Sequence, residues 1–79
     1  MSASISDQLR DLILAALPGA TVEVGGSGGG HFTLEVKSSS FAGKSMLEQQ
    51  RAVYSAIAPL MKGERAPVHA IDSLRCKVG

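Results

Sequence analysis

Five glycines in the six residues Gly25 to Gly30, interrupted only by Ser27, cannot lie inside a stable helix. They are flanked by two segments that alternate in polarity. Before them, Val22 and Val24 alternate with Thr21 and Glu23; after them, Phe32, Leu34 and Val36 alternate with His31, Thr33, Glu35 and Lys37. A period of two sends one set to a core face and the other to solvent. Two such runs around a glycine segment predict a β-hairpin, with Gly25–Gly30 as a long, mobile loop.

On either side of the hairpin the period changes to that of a helix. From Ser4 to Leu17, the residues Ile5, Leu9, Leu12, Ile13, Ala16 and Leu17 recur at three- and four-residue steps. Ser4 or Ser6 is placed to cap this helix, Asp7 and Asp11 lie near the positive end of its dipole, and Pro18-Gly19 ends it. A second helix is predicted from about Ser45, with Met46, Leu47, Val53, Tyr54, Ile57, Leu60 and Met61 as its apolar stripe. Pro59 falls inside that pattern and should kink or split the helix near Ala58. Ser38–Gly43 reads as a turn-rich connector and Lys62–Pro67 as a loop. Val68 to about Leu74 reads as a last strand, followed by a charged end, Arg75–Gly79.

The order α-β-β-α-β segregates helices and strands. It predicts an α+β two-layer sandwich, a three-stranded sheet with helices on one face, in a single domain spanning residues 1–79. A chain of 79 residues buries a small core, with a stability of roughly 3–5 kcal/mol. It has no room for a deep, enclosed active-site cleft. The single cysteine, Cys76, excludes an internal disulfide or a structural zinc site built on several cysteines. Absence of such staples in a domain this small points to a reducing, cytoplasmic setting. No apolar run approaches the ~20 residues that cross a bilayer, and Met1-Ser2-Ala3-Ser4 lacks a leader pattern.

Charge is split along the chain. Residues 1–36 set Arg10 against Asp7, Asp11, Glu23 and Glu35, a net −3. Residues 37–79 set Lys37, Lys44, Arg51, Lys62, Arg65, Arg75 and Lys77 against Glu48, Glu64 and Asp72, a net +4. Such a split either marks an anionic partner on one face or describes an ordinary solvated surface.

No catalytic constellation is present. Cys76 lies in the charged end, the serines read as caps and turn formers, and no carboxylates pair on a periodic face. The glycine run leads into a strand rather than a helix, so it lacks the form of a phosphate loop. Its Gly-x-x-Gly spacings also differ in context from KH domains, where the glycines join two helices. Two histidines remain. His31 opens the second strand on its polar face, and His69 sits near the start of the last strand with its side chain on the side of Ile71. Two histidines alone leave a metal under-coordinated, so the pair makes sense as a ligand set only if a partner completes it.

The runs His31-Phe32-Thr33-Leu34-Glu35-Val36, Phe41-Ala42-Gly43-Lys44-Ser45, Gln50-Arg51-Ala52-Val53-Tyr54 and Val68-His69-Ala70-Ile71 resemble the BolA family, above all its short bacterial members of the toluene-tolerance or acid-stress type. The resemblance spans nearly the whole chain and implies a type II KH-like α-β-β-α-β fold. It further implies a non-enzymatic, cytoplasmic role in iron–sulfur cluster assembly, trafficking or iron sensing. The partner would be a monothiol glutaredoxin, with a [2Fe-2S] cluster shared among the two proteins and glutathione. Alone, the chain would carry no cofactor and be a monomer or weak homodimer. His69, in the His-Ala motif, matches the family's first cluster ligand. The second comes, in other members, from a cysteine or histidine of the hairpin loop; here those positions are glycine, and His31 is the candidate. Arg75–Gly79 stands where the family usually continues with a Thr-Pro segment, and Cys76 matches no family ligand. Some members are described as stress-response transcriptional regulators, so DNA is the alternative partner, with Lys44 and Arg51 as its contacts.

Overall fold

Ser4, not Ser6, starts the first helix. Its backbone is extended and its Oγ accepts the Asp7 N–H at 3.1 Å, so α1 (Ile5–Ala16) begins on a satisfied donor. Leu9 and Ile13 are fully buried on the predicted stripe, and Leu17 follows them inward. The Leu17 N–H still bonds the Ile13 carbonyl at 2.8 Å, after which Gly19, at φ +83°, turns the chain. The computed structural model describes residues 4–79; Met1–Ala3, where no leader is read, lie outside the described residues.

The hairpin forms, but its loop is far shorter than the glycine run. Strand β1 spans Thr21–Gly28 and β2 spans His31–Ser38, leaving only Gly29 and Gly30 between them. Both have positive φ, +64° and +82°, as a two-residue primed turn requires. The expectation of a six-residue loop is therefore corrected to a two-residue turn. Gly25 pairs with Thr33 and Gly28 with His31, so Gly26 and Ser27 face the single residue Phe32 in a β-bulge. Glycine suits this stretch because a Cβ on Gly26 would run into the His31 carbonyl oxygen.

From β2 the chain makes a 3-10 turn, Ser39–Phe41, whose Phe41 is the largest fully buried side chain among the described residues. Helix α2 (Met46–Ile57) then starts at Ser45 with a complete capping box: the Glu48 N–H donates to Ser45 Oγ at 3.2 Å and the Ser45 N–H donates to Glu48 Oε1 at 2.9 Å. The helix ends at Ile57, and Ala58–Leu60 form a 3-10 turn around Pro59, the predicted split. The predicted apolar stripe needs correction. Gln49, Val53 and Ile57 face the core, whereas Leu47 (56% exposed) and Tyr54 (40%) lie outward and Met46 in the first turn stays exposed. At about 100° per residue, Leu47 and Tyr54 sit on nearly the opposite side of the helix from Gln49.

Strand β3 spans Ala70–Val78, beginning two residues later and ending four later than predicted. The supposed charged end is strand: Arg75, Cys76 and Lys77 pair with Glu35, Val36 and Lys37 of β2. The sheet order is β1-β2-β3, with β1 antiparallel and β3 parallel to the central β2. Phe32, Leu34 and Val36 of β2 and Cys76 of β3 point to the layer of helices, with Leu9, Ile13, Val53, Ile57 and Val68, and the opposite sheet face is polar. This is the two-layer α+β arrangement expected. Among the described residues no helix is long and apolar enough to cross a membrane.

Two predictions follow from this packing. The hydrogen bonds from Ser45, backbone first and then side chain, hold the Glu48 carboxyl below its ordinary range, assisted by Lys44. Its stabilising contribution is complete above the ordinary carboxylate range and is lost as pH falls through the lower folded value. Ser45→Ala should cost about 1 kcal/mol in urea unfolding near neutrality, and the gap from wild type should narrow on acidification. Burial pushes the Cys76 thiol up, so its contribution is complete below the ordinary thiol range and fades as pH rises beyond it. Iodoacetamide should label Cys76 slowly in native buffer and rapidly in denaturant; equal rates would mean that β3 does not end as described.

Candidate functional site

The hairpin tip and the start of β3 meet at one glycine. The Gly30 carbonyl accepts the N–H groups of both His69, at 2.8 Å, and Ala70, at 3.2 Å. The His69 ring occupies the space that a side chain at position 30 would fill: a Cβ there would strike His69 Cδ2 and lie 2.9 Å from its Cγ. Gly30 thus serves three needs at once. It supplies the positive φ of the turn, a carbonyl for two donors, and a bare Cα against which an imidazole rests. His69 itself stays solvent-exposed and lies one residue before β3, rather than within the strand as predicted.

His31, the first residue of β2, pairs across the parallel ladder with Ala70, the residue after His69. The sheet therefore brings both predicted histidines to the same corner, on either side of Gly30. His31 lies on the outer sheet face with its side chain half-exposed, and its Nδ1 stands 3.0 Å from Asp72 Oδ1. Asp72 comes from a second bulge: Phe32 pairs with Ile71 and Thr33 with Ser73, so Asp72 is the extra residue of β3.

Lys44 and Arg51 are elsewhere. Both are exposed, Lys44 in the link before α2 and Arg51 on the helix. The Lys44 carbonyl is fixed by the buried Gln49, whose Nε2 donates to it at 2.9 Å. Because β3 starts beside His31 and runs parallel to β2, the chain must return along the sheet between them. The link before α2 follows the far end of β2, about 23 Å from the histidine corner at ~3.3 Å per strand residue. Folding also disperses the charge split. Glu35, on the central strand, pairs in register with Arg75, and Lys77 Nζ reaches its Oε1 at 3.2 Å, so two of the basic side chains lie among acidic ones.

The same polar face carries a shallow depression of about 410 Å³, lined by Glu23, Val24, Gly25, Thr33, Leu34, Glu35, Ser73 and Arg75. Its lining is mainly polar and charged, whereas a small-molecule site is predominantly apolar. Among the described residues, no three of His, Cys, Asp and Glu converge on a point able to hold a metal ion. Cys76 is remote in chemistry as well as place, buried with its thiol kept protonated. Sequence reasoning missed Gly30 and Asp72. Gly30 carried a faint signal as the last of the glycines before a histidine; Asp72 carried none, because its place beside His31 depends on the β2–β3 register.

Residues 15–77 match the family model described as BolA-like protein. No curated protein matches the chain significantly in sequence. Among solved structures, the chain is similar to BolA1 from Arabidopsis thaliana (17% identity, TM-score 0.80, covering 98% of this chain and 94% of that one). It is similar also to the BolA domain of SufE1 from the same plant (26%, TM-score 0.75, covering 99% and 95%). Yeast Fra2 is a third (29%, TM-score 0.64, covering 100% and 81%). The first of these, at its identity, speaks to the fold alone.

If Gly30 holds His69 in place, Gly30→Ala should disturb that residue more than the rest of the domain. The added methyl meets the imidazole and the positive φ is strained, a cost of about 1 kcal/mol or more. In amide NMR spectra the largest shifts should fall on His69 and Ala70, while Gly29→Ala, whose Cβ would meet open space, should leave His69 unmoved. Equal effects of the two changes at His69 would count against the cradle.

Proposed function

The chain belongs to the BolA-like protein family, and on that basis we propose that it acts by binding, as an accessory protein of iron–sulfur cluster assembly, trafficking or iron sensing. A monothiol glutaredoxin is the partner, and a [2Fe-2S] cluster is the shared cargo. The observation that carries the reading is the pair of exposed imidazoles flanking Gly30, one resting on its Cα and one beginning the next strand.

The donor set suits such a cluster. Imidazole can replace thiolate on one iron of a [2Fe-2S] centre, and two histidines leave positions for thiolates from elsewhere. In this reading the thiolates come from the glutaredoxin and glutathione, since Cys76 is buried and protonated. His69 is held by its N–H bond to Gly30 and by contact with the glycine, and serves as the fixed ligand. His31, half-exposed on the sheet's outer face, serves as the second. A ligand must be neutral to bind, so acidification should weaken the assembly.

A small DNA-binding regulator of stress response is the alternative, resting on Lys44 and Arg51. Two exposed cations supply little of the basic excess that phosphate binding needs.

The protein mixed with a monothiol glutaredoxin, iron, sulfide and glutathione should develop the visible absorption of a shared cluster. His69→Ala should keep the fold, by circular dichroism, and change that spectrum. His31→Ala should have the smaller spectral effect and should shorten the lifetime of the complex. A colourless mixture, together with a DNA mobility shift at physiological salt that Lys44→Ala or Arg51→Ala weakens, would decide for the regulator. An unchanged spectrum in His69→Ala would make His69 a structural residue only.

A further inference from the structure

We infer that Asp72 is a positioning residue for His31: it fixes which ring nitrogen carries the proton and so presents Nε2, unprotonated, to the incoming cluster. The inference rests on the cluster reading for its purpose, but on the Asp72 geometry for its content.

An ionised carboxylate can only accept hydrogen bonds. With Asp72 Oδ1 at 3.0 Å from His31 Nδ1, the proton of the neutral ring must sit on Nδ1, which donates it. Nε2 is then left with its lone pair free. The hydrogen bond made by one nitrogen decides the state of the other, and ring N–H to carboxylate pairs of this kind commonly orient histidines that bind metals and raise their basicity. Strand geometry alone brings the two positions within diagonal reach on one face. Regular pairing through β3 would set residue 72 opposite Thr33, one step past Phe32 and two from His31. Here the bulge between Ile71 and Ser73 takes Asp72 out of the ladder and its carboxylate meets His31, in the kind of place where bulges occur beside functional sites.

The bulge in β1 frames the same residue from the other side. Gly26 approaches the His31 carbonyl too closely for any Cβ, so the His31 backbone is held between two irregular strands while Asp72 orients its ring. His69 needs no such partner, because Gly30 already restrains it.

The test uses the isolated chain first. Long-range proton–nitrogen NMR, with His31 neutral, should show the proton on Nδ1. Asp72→Ala should shift His31 toward the Nε2–H form, while Asp72→Asn, which keeps an acceptor oxygen, should retain much of the Nδ1–H form. His69 should be the same in all three proteins. A His31 tautomer unaffected by Asp72→Ala would overturn the inference whatever the cluster does. In the reconstituted glutaredoxin mixture, Asp72→Ala should then weaken cluster retention by about 10-fold or more, with Asp72→Asn intermediate. A changed tautomer with wild-type retention would overturn the presenting role of Asp72. A wild-type mixture that takes up no cluster would instead sink the cluster reading, a failure told apart by the tautomer result already in hand.

Discussion

A missing side chain at position 30 is the constraint on which the working corner of this fold depends. Any Cβ there would collide with the His69 ring, and the positive φ would be strained in any other residue. The Gly30 carbonyl also binds the N–H groups of His69 and Ala70. That pair of bonds starts the parallel ladder between β2 and β3, which continues from the His31–Ala70 pair to Ser38–Val78. One glycine therefore ends the hairpin turn, opens the second half of the sheet and supports a histidine. The three roles share one geometry, so none can be changed alone.

Much of this architecture was legible, because periodicity reports which face is buried. The stripe of α1, except for the exposed Ala16, the alternation of β2 and the break at Pro59 each depend on neighbours in sequence, and each was read correctly. What escaped depends on partners far along the chain. Gly25 to Gly28 carry no side chains to alternate, so nothing local marks them as strand; their pairing with Thr33 and His31 makes them so. Arg75 and Lys77 looked like a solvated tail, yet they are the outward half of a strand whose inward residue, Cys76, is buried. In α2 the apolar residues spread over more than half of the helix circumference, and the packing surface chose Gln49, Val53 and Ile57 over Leu47 and Tyr54. The two histidines were legible as candidates by residue type alone. Their meeting at Gly30, and the part of Asp72, required the register.

Stability and the exposed imidazoles are kept apart in this chain. Phe41, Leu9, Ile13, Val36, Val53 and Ile57 are fully buried between the sheet and the helices. The cysteine, usually the softest ligand available to a protein, is spent among them as a small apolar residue. The imidazoles stand outside that core, on elements fixed by backbone hydrogen bonds rather than by burial. On the proposed reading this division is functional. A ligand set completed by another protein must remain exposed until docking, and a core of this size has little stability to lose in exposing it.

The parallel pairing of β2 with β3 also separates the two readings in space. A parallel neighbour cannot follow from a tight turn; the chain has to travel back the length of the sheet, and α2 lies within that return. The link that carries Lys44 accordingly follows one end of β2, while the histidines gather at the other. The charge of Lys44 acts on phosphates over roughly a Debye length, about 10 Å at 0.1 M salt, which is shorter than the strand between its link and Gly30, while Arg51 stands part-way along the return on α2. Changes at one end should therefore leave the other chemically undisturbed, and a nucleic-acid contact and a cluster contact, if both existed, would be coupled only through the shared core. On the proposed reading, each contact can therefore be judged from its own residues.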